Sequence, residues 1–288
     1  MPASVRFTKG HGTRNDFVLL DDREGTFALT AQLAAKLADR RSGIGGDGVI
    51  RVAPTRLATD PDVRAQADRA EWFMDYRNAD GSIAEMCGNG VRVFAAYLRR
   101  EGLAPESGFG VATRSGVKQI TFDGETVVVD MGPWRLTDPE HAADGMDALV
   151  HIEGHEPFSA LRLDLGNPHT VAAVPPTVQL DALNLTEAPD VKPPAPQGTN
   201  VEFVQPLARG HVRMRVHERG VGETESCGTG VCAAAIATHL WAGGDDQDGT
   251  WLVDVPGGRL RVRLLPDNHV ELAGPAVLVA DGTITLEG

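Results

Sequence analysis

Cysteine is scarce in this chain. There are three in 288 residues, Cys87, Cys227 and Cys232. That is too few, and too scattered, for a disulfide framework, and no pair has the Cys-x-x-Cys spacing of a zinc or redox site. No apolar run is long enough to span a bilayer. Residues 1–10 lack the apolar stretch of a secretory signal, so a cytoplasmic protein with no membrane partner is expected. Positive charge is also in deficit: 27 Lys and Arg against 40 Asp and Glu leave a formal charge of −13. Such a chain is poorly suited to phosphate backbones, so no nucleic-acid partner is expected. The Gly-rich turn Gly43–Gly48 lacks the Gly-Lys-Ser/Thr ending of a phosphate loop. What remains, 42% hydrophobic and 23% charged residues, is a soluble globular composition.

Two of the cysteines sit in near-copies of one motif, Glu85-Met86-Cys87-Gly88-Asn89-Gly90-Val91 and Glu225-Ser226-Cys227-Gly228-Thr229-Gly230-Val231. A helix-like apolar run follows each. Nine residues before each cysteine stands a polar residue, Asn78 in one copy and Glu218 in the other. Asn15 and Asn167 occupy strand-end turns upstream. The order suggests a duplicated half-domain with one thiol per half. The Gly132-Pro133 pair and the polar stretch to Gly145 mark the boundary, giving halves over residues 1–131 and 132–273.

Short strands are expected at Val5–Phe7 and Phe17–Leu20, joined by a polar loop from Gly10 to Asp16. Thr30 is a candidate N-cap for a helix reaching Leu37. Further strands are expected at Val49–Val52, Glu71–Arg77, Val117–Phe122 and Thr126–Asp130. The second half repeats the plan with strands at Arg162–Leu165, Val201–Phe203, His211–His217, Trp251–Val255, Leu260–Leu264 and His269–Leu272.

A cysteine followed by Gly-Asn-Gly or Gly-Thr-Gly stands where a loop enters a helix. The free N–H groups and positive dipole of that helix start favour thiolate over thiol. The glycines let a ligand approach the backbone, and the same N–H groups can hold a carboxylate. Two such thiols on opposite faces of one carbon form an acid/base pair that inverts a stereocentre. If each sulfur approaches the carbon to ~3–3.5 Å, the sulfurs lie roughly 6–7 Å apart in the closed complex. A disulfide between them should inactivate. Cys232, inside an alanine-rich helix, reads instead as a small buried hydrophobe.

Taken singly, Asn15, Asn167 and Asn200 are ordinary turn residues, His169 is a turn histidine, and Glu218-Arg219 is a solvated pair. Together with Gly12–Phe17, Arg77–Ser82, Gly166–His169, Asn200-Val201, Glu218–Thr224 and the two cysteine motifs, they resemble diaminopimelate epimerase over almost the whole chain. The resemblance implies an α+β fold of two pseudo-symmetric domains. Each is a mostly antiparallel, barrel-like sheet around a central helix, with the active site in the cleft between them. It also implies that residues 274–288 return to the first half.

The implied enzyme interconverts LL- and meso-2,6-diaminopimelate, in lysine and peptidoglycan precursor biosynthesis, with no pyridoxal phosphate, other cofactor or metal. Cys87 and Cys227 would be the acid/base pair. Asn15, Asn89, Gly88, Gly228 and Thr229 would hold the reacting end of the substrate. Asn78, Asn167, Asn200, Glu218 and Arg219 would hold the distal end, with His169 assisting a cysteine. The guanidinium of Arg219 suits a distal carboxylate and Glu218 a distal ammonium. The family is commonly a homodimer. Gly48 stands where some members carry glutamine, and Val93 where some have another cysteine.

Two other readings stay open on the residues. A proline racemase or hydroxyproline epimerase usually has His after the first Cys-Gly, where this chain has Asn89, and its substrate lacks the second charged end that Glu218-Arg219 implies. A non-catalytic thiol or binding module need not keep both helix-start motifs.

Overall fold

The structure, a computed structural model, describes residues 3–244 and 249–286. It divides into two compact units, Met1–Val129 with Gly274–Gly288, and Asp130–Ala273. No helix among the described residues is long and apolar enough to cross a membrane.

The first unit contains β1 (Ala3–Gly12), β2 (Asn15–Asp21), α1 (Ala31–Ala38), β3 (Gly48–Pro54), the short α2 (Pro61–Arg64), β4 (Trp72–Asn78), α3 (Gly88–Arg100), β5 (Phe109–Thr113) and β6 (Gly116–Asp123). Strand β7 (Thr126–Pro133) carries the chain into the second unit. There follow β8 (Arg135–Leu136), the short α4 (Pro139–Ala142), β9 (Ala148–His151), β10 (Phe158–Asp164), β11 (Pro168–Ala173), β12 (Asp190–Lys192), β13 (Asn200–Ala208), β14 (His211–Glu218) and β15 (Gly222–Thr224). Then come α5 (Gly228–Trp241), β16 (Thr250–Val255), β17 (Gly258–Leu264) and β18 (His269–Gly274), before β19 (Val277–Leu286) returns to the first unit.

The expected loop between the first two strands is instead a tight hairpin. β1 runs on to Gly12 and β2 begins at Asn15, leaving only Thr13 and Arg14 as the turn. Both have positive φ, 48° and 65°. That is the twist a two-residue hairpin demands, here met without glycine. Thr30 caps α1 as expected, its hydroxyl accepting from Leu33 N at 3.2 Å. α1 turns Ala34, Leu37 and Ala38 into a core with Val18, Leu20 and Val49. β5 was not legible in the sequence; it pairs parallel to β4 through Trp72 and Phe73.

The repeat suggested by the two motifs is a repeat of topology. In the first unit β1–β2 is antiparallel, β2–β3 parallel, β3–β4 antiparallel, β4–β5 parallel, and β5–β6–β7 antiparallel. In the second, β10–β11, β11–β13, β13–β14, β14–β16, β16–β17 and β17–β18 follow the same sequence of senses. α3 comes after β4, and α5 after β14 and the short β15, at matching points. α3 packs on β1, β2, β3 and β19; α5 packs on β11, β13, β14, β16 and β17. Both helices are buried along most of their length. Small residues permit this in α5, where Cys232-Ala233-Ala234-Ala235-Ile236-Ala237 lies fully inside.

The register makes the correspondence residue-specific. Phe17 pairs with Gly48 across β2–β3, and His169 pairs with Asn200 across β11–β13. Counting along the strands, Ile50 corresponds to Glu202, and Asn78, opposite Gly48, corresponds to Glu218.

Candidate active site

Cys87 and Cys227 are the N-cap residues of α3 and α5. Both have extended backbones, with φ −137° and −117°, and the carbonyl of each accepts the first helical bond, from Val91 and Val231, at 2.9 Å. A side chain at this position lies among the free N–H groups of the first turn. Gly90 N donates to the Cys87 sulfur at 3.5 Å.

In the first unit the thiol belongs to a chain of hydrogen bonds whose direction is fixed at both ends. Cys87 Sγ faces Asn15 Oδ1 at 3.5 Å, and Asn89 Nδ2 donates to the same oxygen at 3.3 Å. Asn15 Nδ2 donates to Asp47 Oδ2 at 2.7 Å. Asn89 Oδ1 accepts from the Arg92 guanidinium at 2.9 Å. A guanidinium can only donate and a carboxylate can only accept. Neither amide can therefore turn over without losing a charged hydrogen bond, and Asn15 presents its carbonyl oxygen to Cys87.

Asp47 is held in turn by Arg40 at 2.7 Å, which also reaches Asp16. Burial opposes ionisation of Asp16, yet hydrogen bonds from Arg40 and Lys9 hold it well below the usual carboxylate range. Arg92, fully buried, also donates to Gly88 O at 3.0 Å and Thr13 Oγ1 at 3.2 Å. Asn78 stands apart from this cluster. Its amide accepts from the Tyr76 hydroxyl at 2.9 Å and donates to Ser82 Oγ at 3.0 Å. Gly48 serves the same corner: a Cβ there would meet the Tyr76 ring at 2.4 Å.

The second unit brings its expected residues into one connected group. Cys227 Sγ lies 3.5 Å from Thr229 Oγ1, which accepts from Asn167 Nδ2 at 3.3 Å. Asn167 Oδ1 lies 3.1 Å from His169 Nε2, and His169 Nδ1 lies 2.7 Å from Glu202 Oε1. Glu218 is in hydrogen-bonding range of Cys227 and accepts from the Thr224 hydroxyl. Asn200 donates to Pro168 O at 3.2 Å and accepts from the Arg219 backbone N–H at 2.9 Å. The exposed Arg219 guanidinium donates to Gln197 O at 3.0 Å.

One expectation fails for Cys227. A helix start was expected to favour its thiolate. Instead burial pushes the thiol well above its ordinary value, and the charges of Glu218 and Glu202 add to the effect. Hydrogen bonds from Thr229 and Gly230 N–H oppose this but do not overcome it. Burial also raises the Glu218 carboxyl, against the hydrogen bonds from Thr224 and Cys227. An uncompensated charge in this half is costly until an opposite charge arrives.

Sequence reasoning missed Asp47, Tyr76, Arg92 and Glu202. An arginine inside the apolar run of α3 was a readable signal. Asp47, between two glycines, and Glu202, in a strand that also carries Asn200 and Gln205, carried little.

The sequence model of the family described as Diaminopimelate epimerase matches residues 7–137 and 162–279. The chain belongs to the diaminopimelate epimerase family. Fellow members of the diaminopimelate epimerase family include those named for this activity in Streptomyces coelicolor, 47% identical over 98% of this chain and 96% of the relative, and in Thermobifida fusca, 46% identical over 98% of each. More distant solved structures share the fold. A PhzF-family phenazine biosynthesis protein of Bacillus anthracis aligns with a TM-score of 0.69 at 15% identity, over 99% of this chain and 100% of that one. A hydroxyproline epimerase of Agrobacterium vitis aligns with a TM-score of 0.68 at 14% identity, over 100% and 95%. Diaminopimelate epimerase membership, rather than these fold likenesses, sets aside the proline-type and non-catalytic readings.

Proposed function

We propose that Cys87 and Cys227 are the two bases with which this enzyme interconverts LL- and meso-2,6-diaminopimelate, in lysine and peptidoglycan precursor biosynthesis. The observation that carries the assignment is the placement of both thiols as N-caps of topologically equivalent helices. Two-base inversion requires one thiol on each face of the α-carbon. From the LL side, the Cys87 thiolate takes the α-proton and the C–H electron pair stays on carbon. The Cys227 thiol then delivers its proton to the opposite face, leaving Cys227 as thiolate and Cys87 as thiol. The meso isomer runs the same steps with roles exchanged.

The developing carbanion spreads charge into its carboxylate. Backbone N–H groups around Gly88, Asn89, Gly228 and Thr229, at the two helix starts, stabilise it there. Asn15 and Asn89, locked in orientation by Asp47 and Arg92, position this reacting end. Asn78, Asn167, Asn200, Glu218 and Arg219 hold the distal end. Arg219 offers the fork that matches a carboxylate, and Glu218 ionises readily once an ammonium sits beside it. His169 assists Cys227. The mechanism is complete with thiols, hydrogen-bond donors and water-exchangeable protons, without an organic cofactor. A cytoplasmic homodimer is the assembly we assign on family resemblance, and sedimentation tests it.

The central test incubates the enzyme with LL-diaminopimelate in deuterated water under reductant. Deuterium should enter one α-position as meso product forms, and Cys87→Ala or Cys227→Ala should abolish inversion with the fold intact. Full epimerase activity in either variant removes the two-base reading. Arg219→Ala should weaken substrate binding strongly, and unchanged affinity would remove its distal-carboxylate role.

A further inference from the structure

Beneath the two helix starts the halves differ in one place. Under Gly90 of α3 lie Ile50 and Phe17, both buried. The register-equivalent residues of the second half are Glu202 and His169, also buried. A fold satisfied by phenylalanine and isoleucine does not need a histidine and a glutamate there. The polar pair brings a desolvation cost, and Glu202 Oε2 is buried with no hydrogen-bond partner among the described residues. Packing alone gives no reason for it.

The reason lies along the chain from Glu202 to His169, Asn167, Thr229 and Cys227. Its direction depends on one proton. When His169 carries protons on both nitrogens, Nδ1 donates to Glu202 and Nε2 donates to Asn167 Oδ1. Asn167 Nδ2 then donates to Thr229, whose hydroxyl hydrogen is left to donate to the Cys227 sulfur. Every link points at the sulfur, which suits a thiolate. When Nε2 is bare it accepts, Asn167 turns over, Thr229 donates to the amide oxygen, and Cys227 must be the donor, as a thiol. The chain in the first half has no such freedom, because Arg92 and Asp47 fix it.

We propose that Glu202 is a positioning residue that holds Nδ1 of His169 as a donor and so aims Nε2 at Asn167, letting the His169–Asn167–Thr229 chain point its donors at Cys227 when that sulfur is a thiolate; when Cys227 takes up a proton, the Thr229 hydroxyl turns and accepts from the thiol. The inference rests on Cys227 being one of the two bases. It adds a residue outside the substrate-holding set and gives the second half a reversible hydrogen-bond chain where the first has a fixed one.

The charged groups facing this thiol and this imidazole are Glu202 on β13, Glu218 on β14 and Asp164 on β10. Acting only as a nearby negative charge, Glu202 disfavours the Cys227 thiolate. Acting through the chain, it favours it. The two roles have opposite signs, which makes the test decisive.

With Cys87 and Cys232 both replaced by Ala, Cys227 is the sole thiol, and its ionisation is followed by the ultraviolet absorbance of the thiolate. Glu202→Gln should move the midpoint up by about one pH unit, the loss of one hydrogen bond to a charged acceptor. Thr229→Val should do the same, and the double variant should add nothing further. A midpoint that falls or stays in Glu202→Gln overturns the proposal. Should that variant fail to fold, nitrogen NMR of the histidines in the unaltered chain decides. The His169 nitrogen shifts should follow the ionisation of Cys227 and lose that step when Cys227 is replaced by Ala, and nitrogen shifts without such a step overturn the coupling. Neither measurement needs turnover, so a failure here is distinct from failure of the two-base mechanism, which deuterium uptake reads.

Discussion

Gly90 and Gly230 are the second glycines of the twin motifs, both in the first turn of their helices. Alanine at such a site gains up to about 1 kcal/mol in helix propensity. The surroundings decide whether that gain survives. A Cβ on Gly90 would meet Met74 Cε at 3.0 Å and Ile50 and Phe17 at 3.4 Å. The first is the free end of a flexible side chain and the others are ordinary contacts. Gly90→Ala should therefore stay within about 1 kcal/mol of the parent.

A Cβ on Gly230 would meet Glu202 Oε1 at 2.6 Å, Glu202 Cγ at 3.2 Å and Cys227 Cβ at 3.3 Å. That oxygen is held by His169 and cannot withdraw freely. Strain of about 1–3 kcal/mol and a weakened charged hydrogen bond of about 1.5–3 kcal/mol outweigh the propensity gain, for a net loss of about 2–5 kcal/mol. Amide hydrogen exchange over α3 and α5, read by mass spectrometry, reports each helix separately. Protection of α5 should drop in Gly230→Ala, and that of α3 should barely change in Gly90→Ala. Protection of α5 at or above the parent level refutes the close approach of Glu202, and equal damage in both variants refutes the contrast between the halves.

Glu218→Gln offers a pH-dependent readout. The folded chain holds the Glu218 proton more tightly than the unfolded chain does, because burial raises the carboxyl. The stability this group contributes is present below its ordinary pKa and is lost as pH rises through the raised one. Glutamine mimics the protonated form, so the variant should gain thermal stability over the parent as pH rises above the ordinary carboxyl value of about 4, while losing activity. A difference that does not change with pH contradicts the shift. Arg92→Met keeps the length of the side chain but removes its bonds to Asn89, Thr13, Gly88 and, at 3.4 Å, Pro275 O. We expect a loss of about 3–5 kcal/mol by thermal unfolding and a large fall in kcat/KM, since Asn89 and Asn15 lose the anchor that orients them. A variant within about 1 kcal/mol of the parent, with unchanged kcat/KM, refutes that role.

The helix-start cysteines were legible because capping and apolar periodicity are local properties. Cys87, Cys227 and Thr30 are caps in the structure, and α3 and α5 follow their apolar runs. The hairpin at Thr13-Arg14 was not, because its positive φ values fall on residues that do not advertise them. Asp47 was hidden because its meaning comes from Asn15 and Arg40, which approach it only through the pairing of β2 with β3 and the turn before it. Glu202 was hidden for a different reason. β13 is buried on both faces from Asn200 to Gln205, so alternation carries no signal of which side a charge faces. The raised Cys227 thiol also escaped the sequence, since the burial and the two carboxylates that push it up come from elsewhere in the fold.

Strand β19 pairs along nearly the whole of β1, from Ala3–Leu286 to His11–Val277, and Asp281 ties it to Thr8 and Arg100. Synthesis delivers β1 first and β19 only after every residue of the second unit. Until then β1 presents a row of unpaired N–H and C=O groups, the kind of edge that recruits foreign strands. The second unit is continuous and has all its residues once Ala273 has emerged. The half bearing Cys227 can therefore finish on the ribosome while the half bearing Cys87 waits open. A newly made chain is exposed to misassembly through β1, and what closes that exposure is a strand made after the whole of the second unit.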